Sequence, residues 1–319
     1  MKKIIVAMMI VVLAVCSIAA FAGCQSYDYT IGVSQYERHS ALDSSYEGFK
    51  SKLTELIEAD GKTVNFIYNN ASGDTANATT TAENLVTRKV DLIFAIATPS
   101  AIAAKAAAAD AGIPIVYTAV TSPEESKLVA DNTTGTTDLN NIEKQVELMQ
   151  QLVPGATKFG IMYTNSEPNS VTQYNMATAC MEAKGITVVD GGISEIDNVE
   201  QMFNSFKSQG VQAIYIPTDN KLAGAANTVN VMNKSTECNL PIVCGEGNMN
   251  DLCGIATYGV DYRAIGERAA YMAYDIITGK KSVKDIPFEN PESFELSLNE
   301  KIAQEIGFTI PLAVNDLLK

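Results

Sequence analysis

The chain has 319 residues, of which 46% are hydrophobic, and its 37 acidic residues outnumber its 23 lysines and arginines to give a formal net charge of −14. The hydrophobic fraction is normal for a globular protein with a real core, and the length favours two domains over one. The acidic balance, without a basic run, excludes nucleic acid and anionic lipid surfaces as expected partners.

The first 23 residues have the three parts of a secretory signal peptide. Two lysines come first, an apolar run reaches Ala20, and small residues stand directly before Cys24. Such a segment is cleaved on export and takes no part in the fold. An apolar run of this length could also span a membrane, but the placement of Cys24 resembles a lipobox. We therefore expect residues 1–23 to be a lipoprotein signal peptide, and Cys24 to carry acyl chains that anchor the protein to the extracytoplasmic face of the bacterial cell membrane.

Four cysteines follow the anchor position, namely Cys180, Cys238, Cys244 and Cys253. Their spacings match no zinc pattern, and the single histidine, His39, is too little for a mixed site. We expect no metal and no cofactor. Export permits disulfides between Cys238 and Cys244 or between Cys244 and Cys253, and unpaired thiols are an equal alternative.

Strand-like and helix-like segments then alternate with short connections. The first unit has predicted strands at 29–33, 63–68, 91–97 and 113–117, and predicted helices at 42–59, 75–88 (capped by Asp74) and 99–109. The pattern restarts with helices at 139–152, 171–184, 199–208 and 222–233, and strands at 158–163, 186–189, 211–216 and 241–244. Apolar strands that alternate with helices indicate an α/β fold of two doubly wound parallel sheets.

The tail does not form a third unit. It has a predicted strand at 254–258, a helix at 264–278 and a strand at 294–298 before a short helix. These elements are too short to stand alone and must pack on the first two units. Neither unit has a glycine-rich loop after its first strand, which disfavours an NAD or FAD enzyme.

An ordered set of short blocks carries a family resemblance. The blocks are Gln35 with 39–43, then 95–100, 113–116 with 119–123, 163–170, 216–220, 258–262, and 286–288 through 310–311. Together they resemble the type I periplasmic-binding-protein fold and, within it, the lipoprotein family of ABC-transporter substrate-binding proteins that includes tryptophan and tyrosine binders. The family often has Asp where this chain has Ser122, and Pro where it has Ser40.

This resemblance implies two lobes joined by three hinge crossings, near 119–122, 258–261 and 285–287. Lobe one would comprise 25–119 plus 261–285, and lobe two 120–260 plus 286–319. The lobes would close about these hinges on a ligand held between them. The implied function is capture of a small solute, an aromatic or hydrophobic amino acid, by a monomer that serves the permease and ATPase subunits of an importer.

Polar residues at the carboxyl ends of the strands are the candidate ligand contacts, since parallel sheets bind ligands there. In lobe one, Thr98 and Ser100 open a helix whose N-terminus suits a carboxylate, although Thr98 could also be an ordinary N-cap. Gln35 and His39 follow the first strand, and Thr121 lies in one of the shared blocks.

Lobe two supplies the acidic candidates. Asp219 and Asn220 follow one strand and Glu246 follows the next, so their carboxylates could pair with an α-ammonium group. The alternatives are that Asp219 is an N-cap and that Glu246 is a solvated loop acid. Four further polar residues follow the strand at 158–163, where they either contact ligand or are simply solvated: Asn165, Glu167, Asn169 and Ser170.

The mature chain has no tryptophan, so an apolar wall for the ligand must come from other side chains. Tyr36, Leu42, Tyr117 and Tyr258 are candidates by position. One histidine and the absence of a nucleophile-elbow motif leave little for enzymatic chemistry. A sensor that presents its ligand to a membrane receptor, and a nucleoside or small-peptide ligand, remain as alternatives.

Overall fold

The computed structural model describes residues 26–318, which form two sheets of mainly parallel strands. Residues 1–23 and Cys24, to which the sequence assigns a signal peptide and a lipid anchor, lie outside the described residues. Helices separate almost all of the strands along the chain, and each sheet has its own buried core. The predicted α/β class with two doubly wound lobes is confirmed.

The first sheet is wholly parallel, in the order β2-β1-β3-β4-β5. Its strands are β1 (Tyr29–Gln35), β2 (Val64–Asn70), β3 (Leu92–Ile96), β4 (Ile115–Val120) and β5 (Thr133–Thr137). The helices that connect them are α1 (Ser40–Ala59), α2 (Thr75–Thr87) and α3 (Thr98–Ala107). All five residues of β3 are buried, as expected where helices cover both faces. Asp74 caps α2 as predicted, because its side chain accepts the Asn77 N–H.

The second sheet repeats this order and adds one antiparallel edge strand, in the sequence β11-β10-β9-β8-β6-β7. Its strands are β6 (Lys158–Thr164), β7 (Thr187–Ile193), β8 (Ala213–Ile216), β9 (Ile242–Cys244), β10 (Ala256–Gly259) and β11 (Glu295–Leu298). The helices are α4 (Ile142–Leu152), α5 (Pro168–Ala183), α6 (Val199–Ser208), α7 (Ala225–Cys238) and α8 (Gly247–Cys253), with a 3₁₀ turn at Ile196–Asn198.

The tail is shared between the lobes, as the sequence indicated. Helix α9 (Tyr262–Ile277) packs along α1 and contributes to the core of lobe one. The remaining tail elements are a 3₁₀ turn at Val283–Asp285, then α10 (Glu300–Glu305), α11 (Leu312–Asn315) and a last 3₁₀ turn at Asp316–Leu318. The backbones of α1 and α9 approach very closely, since a Cβ atom on Gly266 would lie 2.0 Å from the Ser45 carbonyl oxygen.

Strand β5 was not predicted, and it shifts the first crossing. Its sequence of four threonines around Gly135 lacks the apolar run that marks the other inner strands. It nevertheless pairs with β4 in the first sheet, so residues 120–137, which the predicted boundary gave to lobe two, lie on lobe one. The chain therefore first crosses between Thr137 and α4.

The third crossing also comes later than predicted. The Glu289 N–H donates to the Gly135 carbonyl at 3.0 Å, and the Thr137 N–H donates to the Glu289 carbonyl at 2.9 Å. The chain thus stays on the edge of the first sheet past 285–287 and crosses between Glu289 and β11. The second crossing lies between β10 and α9.

Within residues 26–318 no helix combines the length and the apolar character needed to cross a bilayer. Cys180, Cys238, Cys244 and Cys253 are free thiols in this structure, so neither conceivable disulfide is formed.

Candidate binding site between the lobes

A small cavity lies between the lobes, where the carboxyl ends of several strands meet. Its lining from lobe one and the crossings consists of His39, Leu42, Ala119, Asp138 and Tyr262, and its lining from lobe two of Asn169, Thr218, Asp219, Asn220, Ala223 and Glu246. Asp138 directly follows β5, and Thr218 and Glu246 come two residues after β8 and β9. This is the position at which parallel sheets present side chains to a ligand.

The cavity is closed tightly. Its volume is about 10 Å³, roughly the space of one water molecule. Three side-chain hydrogen bonds join the lobes, two of them buried and the third exposed: His39 Nε2 with Asn220 Oδ1 at 3.3 Å, Gln173 Nε2 to Thr121 Oγ1 at 3.0 Å, and Thr172 Oγ1 to Glu125 Oε2 at 2.6 Å. A ligand larger than water therefore requires the lobes to part.

Asp138 lines the cavity and was not among the predicted site residues. It is 4% exposed and accepts hydrogen bonds from Thr121 Oγ1 at 3.1 Å and from the Tyr262 hydroxyl at 2.9 Å. Burial raises the pKa of its carboxyl. The signal that would have found both Asp138 and β5 is the run of β-branched threonines directly before it, because such residues favour strands.

Glu167 anchors the polar network of lobe two. Its Oε1 atom accepts the Lys221 N–H at 2.8 Å, and its Oε2 atom accepts the Asn220 N–H at 3.1 Å and the Asn220 side-chain amide at 2.6 Å. Burial, and then the charge of Asp219, raise the pKa of Glu167 to about 8. Glu167 thus contacts the cavity residue Asn220 and does not itself line the cavity.

Asp219 lines the cavity and accepts three hydrogen bonds. Its carboxylate accepts the Thr164 N–H at 2.6 Å, the Thr164 hydroxyl at 2.9 Å and the Leu222 N–H at 2.9 Å. Burial raises the pKa of Asp219. The N-cap alternative is wrong, because α7 begins after Gly224, five residues further on. The carboxylate instead ties strand β6 to the turn after β8.

Glu246 is buried, with 2% of its surface exposed, so the solvated-loop alternative is wrong. It is the N-cap of α8, a helix that the sequence analysis did not predict. Its carboxylate accepts the Asn248 N–H at 2.9 Å and the Met249 N–H at 2.6 Å. Burial raises the pKa of Glu246 to about 7.

No lysine or arginine side chain lines this cavity. Nor do the ion pairs within residues 26–318 involve any of the four buried acids Asp138, Glu167, Asp219 and Glu246. Buried carboxylates without a counter-charge are costly. The site therefore favours a ligand that brings a positive group.

Two predicted contacts of lobe one, Thr98 and Ser100, do not line the cavity. Thr98 is the first residue of α3, and the N-cap is Ala97, whose φ of 76° is strained for a non-glycine residue. The N-cap alternative for Thr98 is therefore also wrong. The Thr98 hydroxyl accepts the Thr121 N–H at 3.4 Å, and the Ser100 hydroxyl accepts the Ser34 hydroxyl at 3.4 Å.

Gln35 and Asn165 do not reach the cavity either. The Gln35 amide donates to the Glu37 carbonyl at 2.8 Å and to Asp43 Oδ1 at 2.7 Å. Asn165 is exposed, and its backbone N–H donates to Ile193. Both residues follow strands, but the local turns direct their side chains elsewhere.

The sequence predicted that Asn169 and Ser170 lie in a loop, and this prediction is wrong. Helix α5 begins earlier than predicted, at Pro168, because proline is favoured in a first helical turn. Both residues are therefore in that turn and are buried. Asn169 lines the cavity, and its amide nitrogen donates to the Thr218 carbonyl at 2.8 Å.

Of the four predicted wall residues, only Leu42 lines the cavity. The Tyr36 hydroxyl donates to the Gly73 carbonyl, Tyr117 is part of the core of lobe one, and Tyr258 stacks on Phe294 with 6.0 Å between ring centroids. Tyr262, which was not predicted to form the wall, supplies the aromatic ring.

The stability of the ligand-free protein should fall as pH rises from 6.5 to 8. The folded state holds protons on Glu167 and Glu246, with pKa values of about 8 and about 7, that an unfolded carboxyl with a pKa of 4.5 has released. Each carboxyl that is still protonated in the folded state therefore removes up to about 1.4 kcal/mol of unfolding free energy per pH unit, and this loss ends above its folded pKa. His39, whose pKa is lowered to about 4, acts in the opposite sense but only below 6.5.

Thermal denaturation between pH 6.5 and 8 measures how steeply the stability falls with pH. The Glu167→Gln variant should flatten this dependence, because the amide does not titrate. A melting temperature that rises between pH 6.5 and 8 would contradict the proposed titration.

Comparisons with known proteins agree with this geometry. The family model described as ABC transporter substrate binding protein matches residues 30–317. A curated tyrosine-binding protein of Clostridioides difficile is 35% identical over 276 residues, which is 85% of this chain and 78% of that protein.

Two solved structures, one with a bound ligand and one without, superpose on this chain to different degrees. The Streptococcus pneumoniae ABC domain in complex with L-Trp is 30% identical, has a TM-score of 0.82 and covers 90% of this chain and 97% of its own. The ligand-free, open structure of a Clostridium difficile substrate-binding protein with adhesive properties is 31% identical, with a TM-score of 0.64 and coverage of 89% and 96%. At nearly equal identity the present structure has the higher TM-score with the ligand-bound relative, in agreement with its tightly closed cavity.

Proposed function

This chain belongs to the family of ABC transporter substrate-binding proteins, and from this premise we propose that it captures an aromatic or other hydrophobic amino acid between its lobes. It delivers this cargo to the permease and ATPase subunits of an importer. The family consists of substrate-binding proteins and not of enzymes.

The observation that carries the proposal is the set of buried carboxyls without a protein counter-charge. Asp219 and Glu246 from lobe two and Asp138 from the first crossing line one cavity. An α-ammonium group supplies the missing positive charge and forms charge-assisted hydrogen bonds with these carboxylates. Leu42 and Tyr262 provide apolar contact for the side chain of the ligand. The tyrosine-binding and L-Trp-bound relatives support an amino acid of this kind.

Ligand capture on this proposal is coupled to closure of the lobes. The three crossings connect the two sheets beside the cavity, and Asp138 is on the first of them. A ligand that contacts Asp138, Asp219 and Glu246 together stabilises the closed arrangement, because only that arrangement brings the three carboxyls to one point.

We further propose that acyl chains on Cys24 hold the protein on the extracytoplasmic face of the membrane, after removal of residues 1–23. This places the captured amino acid beside the permease. Loss of the protein from the membrane fraction in a Cys24→Ser variant is the test, and retention of that variant would count against the anchor.

Thermal denaturation of the tag-free mature protein with single amino acids tests the ligand class. Tyrosine, tryptophan or phenylalanine at 100-fold excess over its Kd should stabilise the protein by about 2.7 kcal/mol, or about 5–10 °C for a protein of this size. Glutamate is the control for the acidic pole, since a second carboxylate near Asp219 is unfavourable. A shift with nucleosides alone would overturn the proposal of an amino-acid ligand.

A further inference from the structure

The sequence contains one histidine, and it lies in the wall of the cavity. His39 occupies the N-cap position of α1, yet its side chain makes no capping hydrogen bond. The imidazole instead points across to lobe two, where Nε2 lies 3.3 Å from Asn220 Oδ1. The other ring nitrogen, Nδ1, is buried and has no hydrogen-bond partner among the described residues.

The neighbours of His39 determine which ring nitrogen carries the proton. Each oxygen of Glu167 accepts a backbone N–H, one from Lys221 and one from Asn220. When Glu167 is ionised it can only accept, and the Asn220 side-chain atom 2.6 Å from its Oε2 atom is then the donating NH₂ group. This orientation turns Asn220 Oδ1, which can only accept, toward His39 Nε2. Nε2 must then be the protonated nitrogen.

It follows that His39 Nδ1 has a free lone pair. The ring also stays neutral, because burial lowers the pKa of His39 to about 4. Nδ1 is thus an uncharged acceptor, buried and without a partner, on a side chain that lines the cavity. Asn169 presents a second buried acceptor of the same kind, since its amide nitrogen is used by Glu167 and Thr218 and its Oδ1 atom is unpaired.

We propose that His39 Nδ1 accepts a hydrogen bond from a neutral donor on the ligand side chain, the N–H of an indole or the O–H of a phenol. Its neighbour in the cavity wall is Leu42, so it suits a ring better than a charged group. The α-ammonium group goes to the carboxylates of lobe two. This inference rests on the proposed function and narrows it: the site selects tryptophan and tyrosine over phenylalanine, which would leave Nδ1 buried and unpaired.

Nitrogen-15 NMR of the tag-free protein tests the first step without any ligand. A single histidine makes the assignment unambiguous. Above pH 8, where Glu167 is ionised, we expect protonated Nε2 and unprotonated Nδ1, and the ring should not titrate near pH 6.5. The Nδ1 resonance should move on addition of tyrosine or tryptophan, in the direction of an accepted hydrogen bond. A protonated Nδ1 in the free protein would overturn the inference.

Calorimetry tests the selectivity. The wild-type protein should bind tyrosine about 10- to 100-fold more tightly than phenylalanine, the range expected for one buried unpaired acceptor. In His39→Leu this ratio should fall to within about threefold, because the acceptor is gone for both ligands. Equal losses for tyrosine and phenylalanine would overturn the role of His39 and leave the proposed function standing. Failure of the wild type to bind any amino acid would overturn both.

Glu167 acts through Asn220 and is a positioning residue. In Glu167→Gln the new amide can donate to Asn220, so Asn220 can turn over and present its NH₂ group to His39. The NMR signature should then change toward protonated Nδ1, and the preference for tyrosine should decrease. An unchanged tautomer in this variant, measured in the same way, would show that Glu167 does not set it.

Discussion

Asp219→Ala should lose at least about 100-fold in ligand affinity and about 3–5 kcal/mol of unfolding free energy. The carboxylate accepts three hydrogen bonds in a buried position, from Thr164 N, Thr164 Oγ1 and Leu222 N. Truncation leaves two backbone N–H groups buried without partners, at a cost of about 1–3 kcal/mol each. Relief of repulsion between Asp219 and Glu167 offsets only part of this loss, since the carboxylate also fastens β6 to the turn after β8.

The Asp219→Asn variant distinguishes the loss of ligand affinity from the loss of stability. An amide oxygen in the Oδ1 position can still accept the Leu222 N–H and the Thr164 hydroxyl, but an NH₂ group in the Oδ2 position cannot accept the Thr164 N–H. About half of the stability loss should therefore remain, whereas the charge that attracts an ammonium group is gone. Urea denaturation and calorimetry measure the two quantities. Asp110→Ala is the matched control, because Asp110 is exposed at the end of α3. Wild-type affinity in Asp219→Asn would rule out Asp219 as the ammonium partner.

Gly266→Ala should destabilise lobe one by about 2–4 kcal/mol. Helix propensity alone would give the opposite sign, because alanine is better than glycine inside a helix by about 1 kcal/mol. The added Cβ atom, however, would lie 2.0 Å from the Ser45 carbonyl oxygen, and Gly48 meets the Arg263 carbonyl of α9 in the same way. Relief of a clash with backbone requires α1 and α9 to separate, and overpacking of this kind costs about 1–3 kcal/mol or more.

Ala264→Gly provides the matched control on the same helix. Ala264 is exposed, so this change should cost only the helix propensity of about 1 kcal/mol. Equilibrium denaturation of both variants ranks the two effects. An increase in stability for Gly266→Ala would mean that the two helices have room to adjust.

The sequence predicted those parts of the fold in which hydrophobic periodicity and strand composition agree. The helix Val199–Ser208 begins and ends at the predicted residues, and the resemblance to the substrate-binding-protein family is confirmed. Strand β5 was missed because its four threonines and Gly135 carry no apolar signal, and its burial comes from tertiary packing. Helix α8 was missed because seven residues are too few for a helical period to be recognised.

The candidate site was only partly predictable for a related reason. Five of the residues predicted from their position after a strand line one cavity, namely His39, Asn169, Asp219, Asn220 and Glu246. Position after a strand does not determine which way a side chain turns, so exposed Asn165 and buried Glu167, which lie two positions apart, were treated alike. Asp138 and Tyr262 depend on an unpredicted strand and on a crossing between lobes.

The hydrogen bonds that join the lobes around an almost filled cavity also affect the speed of loading. A receptor that closes without cargo must open before cargo can enter, and its apparent affinity is reduced by the fraction of time it spends shut. Each of the three bonds contributes a net of about 0.5–1.5 kcal/mol to the shut form. At high solute concentration the rate of capture then reaches a maximum that is set by the rate at which the lobes open. Above that concentration, the rate of capture no longer depends on the amount of solute outside the cell.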